Sequence, residues 1–371
     1  MIFGERVKLA REIQGWTQGK LAEQVGVSQS AIAQIESGVT QPHVSTLDAI
    51  ALSTKFPPSF FRQPSPQDFP LGSLSFLYRS RASTRARDLG MAHAWATLVW
   101  DIVKEMMRQL QPIPVTLPRL SGERPLTAAR VTRSELRLPP NAPIDRVLMP
   151  VERAGVLAVA LPISVEGLDA FSVWAGEEGR QPVIVSSREP AGDRLRFSLA
   201  HELGHLVMHS PILDTVSQLE KEADQFAAEF LLPEEGIRRD IVSPVTLSSL
   251  AALKPKWRVS IAALVRRARD LSIISETQYR MLMKQVSARG WRTQEPENLA
   301  VTPEKPRAIR KMIEVLYGNP ADYERFAGAM SLMPARARDI INAHAAVDEL
   351  AGHSTTRLGA KKVLRLHDPH L

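Results

Sequence analysis

Arg196-Phe197-Ser198-Leu199-Ala200-His201-Glu202-Leu203-Gly204-His205-Leu206-Val207-Met208-His209 is the stretch on which the reading of this chain turns. Phe197, Leu199, Ala200, Leu203, Leu206 and Val207 recur at helical spacing, so the stretch is expected to be an amphipathic helix. On a helix His201 and His205 stand one turn apart on the same face. Two imidazoles so placed can grip one metal ion, with Glu202 beside it as a base, which is a zinc-hydrolase arrangement. His209 continues the same row but lies too far along a straight helix to share that ion. It reads as a packing or hydrogen-bonding histidine.

A second helical pattern follows at Glu220-Lys221-Glu222-Ala223-Asp224-Gln225-Phe226-Ala227-Ala228-Glu229-Phe230-Leu231-Leu232-Pro233, ended by its proline. Catalytic zinc takes three protein ligands and keeps one position open, and a carboxylate from a second helix completes a His2Glu set. Glu220 and Asp224 share a face at i and i+4. Glu220 is therefore the expected third ligand, while Asp224 accepts a hydrogen bond from a ligand imidazole and fixes its tautomer. Glu222 points about 200° away from Glu220, at about 100° per residue, which makes it the weaker ligand candidate. Glu229 and Glu234 read as exposed helix-end carboxylates.

Asp193-Arg194-x-Arg196-Phe197-x-x-Ala200-His201-Glu202-Leu203-Gly204-His205, followed by Glu220-x-Glu222-Ala223-Asp224-x-Phe226-Ala227-Ala228-x-x-Leu231-Leu232-Pro233, resembles the ImmA/IrrE family of zinc metallopeptidases. The resemblance runs from about Pro143 to Pro233 and more loosely to about Pro296. It implies a gluzincin-like site and cleavage of a specific repressor protein.

Composition narrows the rest. The chain has 371 residues, enough for two or three domains, and no cysteine, which excludes disulfides, cysteine-zinc sites and thiol catalysis. A net charge of +7 favours an anionic partner without identifying one. No apolar run is long enough to span a bilayer, and Met1-Ile2-Phe3-Gly4-Glu5-Arg6 opens without the pattern of a signal peptide. A cytoplasmic protein with no membrane partner is expected.

Residues 5–61 read as a bundle of short helices. Thr17 and Ser28 are placed to cap the second and third, and Gly26 makes the turn between them. A short helix, a glycine turn and a capped second helix is the helix-turn-helix layout, whose second helix enters the DNA major groove. Thr17-Gln18-x-x-Leu21-Ala22-x-x-x-Gly26-Val27-Ser28-x-x-Ala31-Ile32-x-x-Ile35-Glu36-x-Gly38 is similar to the Xre/Cro repressor family. That likeness implies DNA-binding roles for Gln18, Ser28, Gln29, Ser30 and Gln34, with Gln29, Ser30 and Gln34 facing base edges and Gln18 a phosphate. Lys20 and Arg11 are almost the only cations near this surface, offset by Glu23 and Glu36. One copy should bind weakly, and dimerisation is expected. The bland alternative is a unit that recognises only protein.

The remaining expectations are coarser. Phe56 to Pro70 is proline-rich and reads as a linker; Tyr78 to Arg87 is basic and leads into a long helix over about Ala82 to Leu110. The apolar face of that helix suits either a copy in another subunit or the peptidase domain. A short helix is expected near Leu126 to Leu136, then strands at Arg146–Val151, Gly155–Leu161, Ala170–Trp174 and Pro182–Ser186. Together they would make a small antiparallel sheet, with Val183-Ile184-Val185 at the cleft edge, able to pair with a substrate backbone. Beyond Ser243 helices dominate. Leu247 to Val265 echoes the N-terminal helix-turn-helix, and Lys254, Lys256, Arg258, Arg266 and Arg267 raise a second nucleic-acid reader against a structural support. Glu295 to Pro306 reads as a linker and His353 to Leu371 as a loose basic tail.

The fold class expected is mainly α with a small α+β zincin-like peptidase domain, an N-terminal helix-turn-helix bundle and a helical C-terminal region. Its divisions are 1–62 for the bundle, 63–112 for linker and long helix, 113–240 for the peptidase domain, and 241–371 for the helical region and tail. The functional expectation is a DNA-binding regulator fused to a Zn2+ endopeptidase. It would bind double-stranded operator DNA and cleave a helix-turn-helix repressor or antitoxin-like protein, in stress response or mobile-element control. The alternative is a DNA-binding regulator or antitoxin whose zinc domain is a sensor or structural module.

Overall fold

The computed structural model describes residues 1–64, 69–70, 86–111, 113–187, 191–209, 216–345, 355–358 and 361–364. Helices α1 (Gly4–Ile13), α2 (Gln18–Val25), α3 (Gln29–Glu36) and α4 (Val44–Thr54) form the N-terminal bundle. Thr17 accepts from the Lys20 N–H and Ser28 from the Ala31 N–H, both at 3.1 Å, so each cap relieves an orphan donor of its helix. Gly26 takes the left-handed conformation at φ 76°, where a side chain would be strained. Phe56, Phe60 and Phe61 are buried with Val7, Leu21, Ile32 and Ile50, and the rings of Phe56 and Phe60 stack at 4.1 Å. The segment expected as a linker from Phe56 thus starts as core. Residues 65–68 and most of the basic run, Tyr78 to Arg85, lie outside the described residues.

Helix α5 (Ala86–Met107) lies against α1 and the sheet, within its own chain. Trp95, Leu98, Val99, Ile102, Val103 and Met106 are buried in one cluster with the bundle, one face of the sheet and the C-terminal helices. The Arg6–Asp101 pair at 2.6 Å crosses the α1–α5 contact. A short strand, β1 (Leu110–Gln111), follows α5.

The central sheet contains β2 (Leu157–Ala160), β3 (Ala170–Ala175) and β4 (Gln181–Ser186) in the order β2-β4-β3. It is mixed, where an antiparallel sheet was expected: β2 runs parallel to β4, and β3 antiparallel. Side chains alternate between its faces. Phe171, Val173, Val183 and Val185 join the α5 cluster, while Ala158 and Ile184 face α8 (Gly192–Met208). Ahead of the sheet come α6 (Pro125–Glu135) and α7 (Leu148–Arg153). The latter replaces the strand expected at Arg146–Val151. Its first turn is capped from far along the chain, because Glu304 accepts from the N–H groups of Val147 and Leu148.

Helices α9 (Val216–Leu231), α10 (Glu234–Asp240), α11 (Leu247–Trp257), α12 (Ile261–Asp270) and α13 (Glu276–Ala288) pack on α8 from the side away from the sheet. Lys254 and Arg267 are buried in ion pairs, with Asp193 and Glu295 and with Glu229 respectively. Lys256 and Arg258 pair with Asp240 and Asp145. Four of the five cations that raised a second nucleic-acid reader therefore hold the support together. Glu295 also accepts from the Ile261 N–H at 2.7 Å, and Arg196 reaches Glu304, so the segment expected as a linker is tied to the helix termini on both flanks.

α14 (Ala308–Tyr317), α15 (Tyr323–Ala329) and α16 (Pro334–Ala343) return to the α5 cluster. Buried His344 binds this layer to the sheet, accepting from the Ala160 N–H at 3.3 Å and donating to the Ile340 carbonyl at 2.8 Å; burial lowers it to about 4, so it is neutral. Part of the expected loose tail is ordered as β5 (Thr355–Leu358) and β6 (Lys361–Leu364), an antiparallel pair with β6 alongside β1; the rest lies outside the described residues. No described helix is long and apolar enough to cross a membrane.

Glu229 is not an exposed helix-end group: it is 1% exposed and held by Arg267 and by Arg130, whereas Glu234 lies nearer the surface. Glu229→Ala strips a buried guanidinium of its partner and should cost about 3–5 kcal/mol, against about 1 kcal/mol or less for Glu234→Ala. Urea denaturation of the two variants checks the contrast.

Candidate metal centre and nucleic-acid face

α8 is buried along almost its whole length, between the sheet on one side and α9 on the other. A β-carbon on Gly204 would stand 3.0–3.2 Å from ring and Cβ atoms of Phe226, so the absent side chain is what allows α8 and α9 to approach this closely. The two helices then face each other where their polar residues fall.

At that contact His201 Nε2 and His205 Nε2 lie 2.9 Å apart. The Glu220 carboxylate reaches both, at 3.5 Å from His201 and 3.2 Å from His205. His201 Nδ1 is 2.8 Å from Asp224 Oδ1; a carboxylate accepts, so Nδ1 donates and Nε2 of the neutral ring keeps its lone pair. Two ring nitrogens and a carboxylate converging at such distances form an electron-rich cluster that calls for a cation between them. Donors bound at about 2.0–2.1 Å around a tetrahedral ion stand about 3.3 Å from one another, which the three separations match. His201, His205 and Glu220 are accordingly the residues that could hold a metal.

Glu202 is fully buried beside this cluster, and its Oε2 accepts from the Ser172 hydroxyl at 2.7 Å. Ser172 comes from β3, which sequence reasoning did not single out. Its signal was a hydroxyl at an alternate position between apolar Phe171 and Val173. β3 is also the edge strand next to α8. Val183-Ile184-Val185 occupies the central strand, with β2 and β3 on either side, so it has no free edge for a substrate backbone.

Glu222 faces elsewhere: its Oε2 lies 3.2 Å from His209 Nε2, and His209 Nδ1 lies 2.8 Å from His205 Nδ1. Burial, then the neighbouring His205, holds His209 below the ordinary imidazole value. A cavity of about 1080 Å³ lies behind α8 and α9, lined in part by Phe197, Lys221, Asp224, Arg266 and Trp291; of the five candidate site residues only Asp224 borders it.

On the N-terminal bundle, Gln29, Ser30 and Gln34 are exposed on α3. Ser28 is spent on its cap and on Ser30, 2.9 Å away. Gln18 donates to Glu36 at 2.9 Å, and Glu36 also binds buried Arg11 at 2.6 Å. Lys20 pairs with Glu23 at 3.0 Å. Both cations near this face are thus already matched by carboxylates.

Residues 7–61 match the family model described as Helix-turn-helix, and residues 151–269 match that of the M78 peptidases, described as an IrrE N-terminal-like domain. No curated protein matches the chain.

The geometry separates two acidic residues that are close in sequence. Elemental analysis after metal loading should find about one divalent ion per chain, as a single site requires. Glu220→Ala should abolish that stoichiometry, while Glu222→Ala at saturating metal should keep it.

Proposed function

From a helix-turn-helix domain fused to an IrrE-like peptidase domain, we propose that this chain is a cytoplasmic DNA-binding regulator that also cleaves a specific protein, a helix-turn-helix repressor or antitoxin-like partner, under stress or in mobile-element control. The observation that carries the reading is the convergence of His201, His205 and Glu220 with Asp224 behind them. In this reading His201, His205 and Glu220 hold zinc as a gluzincin-like set. Bound zinc would supply Lewis-acid polarisation of the scissile carbonyl and acidify the attacking water.

The chain's own residues supply the rest. Asp224 holds the His201 proton on Nδ1 and so keeps the lone pair at Nε2. Glu202 takes the proton from the attacking water and passes it to the leaving amine, and Ser172 fixes its carboxylate for that exchange. Gln29, Ser30 and Gln34 on α3 would read base edges in the major groove, with Gln18 and Ser28 near the backbone. Because Arg11 and Lys20 are already paired, phosphate neutralisation by one copy is small, which favours binding as a dimer.

One observation favours a second reading, a DNA-binding regulator whose metal domain senses or stabilises with little turnover: Glu202 exposes none of its surface. The two part at Glu202→Gln. The peptidase reading expects metal content unchanged and cleavage of the partner lowered about 10²–10⁴-fold; unaltered cleavage would remove Glu202 from the role of base. For the DNA face, Gln29→Ala with Gln34→Ala should relax sequence preference by about 1–3 kcal/mol per lost base contact. A binding assay against a randomised duplex pool in which neither affinity nor preference moves would show that α3 is not the reader.

A further inference from the structure

We infer that His209 and Glu222 are positioning residues for His205, forming a second carboxylate-to-ring relay into the centre, opposite the one from Asp224. The inference rests on the metal-site reading above. It begins with a proton that has to be placed. His205 can offer a lone pair at Nε2 only as the neutral ring protonated on Nδ1. That N–H needs an acceptor, and the atom it meets, 2.8 Å away, is Nδ1 of His209. Two N–H groups cannot face each other at that distance, so His209 Nδ1 carries its lone pair and His209 is protonated on Nε2. This second N–H points at Glu222 Oε2, at 3.2 Å. Glu222 is itself fixed, since its Oε1 accepts from Gln218 Nε2 at 2.6 Å.

Every proton along Glu222, His209 and His205 is therefore assigned by its neighbour, ending in a bare nitrogen directed at His201 and Glu220. The backbone makes the arrangement possible. At His209, the C-cap of α8, the chain turns extended at φ −105° and ψ 124° while the N–H still bonds the His205 carbonyl, so the third imidazole sits one turn beyond His205, its ring 4.9 Å from that of His205. On α9, Glu220 and Asp224 serve the face toward His201 while Glu222 reaches the other flank through an imidazole. The two ligand histidines thus have separate supports: a carboxylate directly for His201, and a carboxylate through a ring for His205.

The test is zinc affinity of the full chain, measured by competition with a chromophoric chelator, with no need for a substrate. His209→Leu keeps the volume and deletes the acceptor; zinc affinity should fall about 10–100-fold. His209→Asn places an amide oxygen near the position of Nδ1 and should recover most of that loss. Wild-type affinity in His209→Leu, or equal weakness in His209→Asn and His209→Leu, would overturn the relay. Should His209→Leu fail to fold by circular dichroism, Glu222→Ala at the surface end decides: reduced affinity supports the relay, and unchanged affinity overturns it. His205→Ala separates the levels. If it binds zinc as tightly as wild type, the metal-site reading fails and the relay with it; if it loses zinc while the His209 and Glu222 variants do not, the relay alone is wrong.

Discussion

The close approach of α8 to α9 at Gly204 and Phe226 is the constraint from which the centre follows. His201 and His205 come from one helix and Glu220 and Asp224 from the other, so the distance between the helix axes decides whether four polar side chains meet or merely pass. Burial of both helices in a shared apolar cluster fixes that distance. The same packing removes water from around His201 and His205, while Glu220 and Asp224 stay partly open to solvent on their outer side. Hydrophobic packing and polar geometry are here one requirement, met at a glycine.

Local features of the chain were legible in its sequence, and distant ones were not. Thr17 and Ser28 act as caps through bonds spanning three residues, so their positions beside an apolar period were enough to read them. The approach of His201 to His205 is likewise a one-turn relation. Glu304 capping α7 across 156 residues leaves no local trace, and an apolar run at 146–151 was read as a strand for want of it. Glu229 was read as exposed because its neighbour Arg267 is 38 residues away. Strand order is of the same kind: alternation identifies β2, β3 and β4 but does not say that β4 is central. Ser172 needed both a strand face and a helix partner before it could be recognised.

The C-terminal region shows how much of the chain serves placement. The 295–306 segment supplies Glu295 to the start of α12 and Glu304 to the start of α7. In return Glu152 accepts from the N–H groups of Arg307 and Ala308 and begins α14, its carboxyl pushed by burial up to about 7. Helix ends that would otherwise carry unsatisfied donors are finished by carboxylates from the next layer. The sheet and α8 are thereby clamped between a helical layer on each side.

Arg336 donates to the Thr54 carbonyl at 3.2 Å and lies over the rings of both Phe56 and Trp95, while Gln63 donates to Ser331 at 2.9 Å. The N-terminal bundle is therefore seated in the same core as the sheet that backs the metal centre. Two activities joined by a loose tether are related by an effective concentration, and any pose within reach is sampled. A seated bundle is related to the centre by a fixed vector, so a ligand held on it would meet the centre in one orientation.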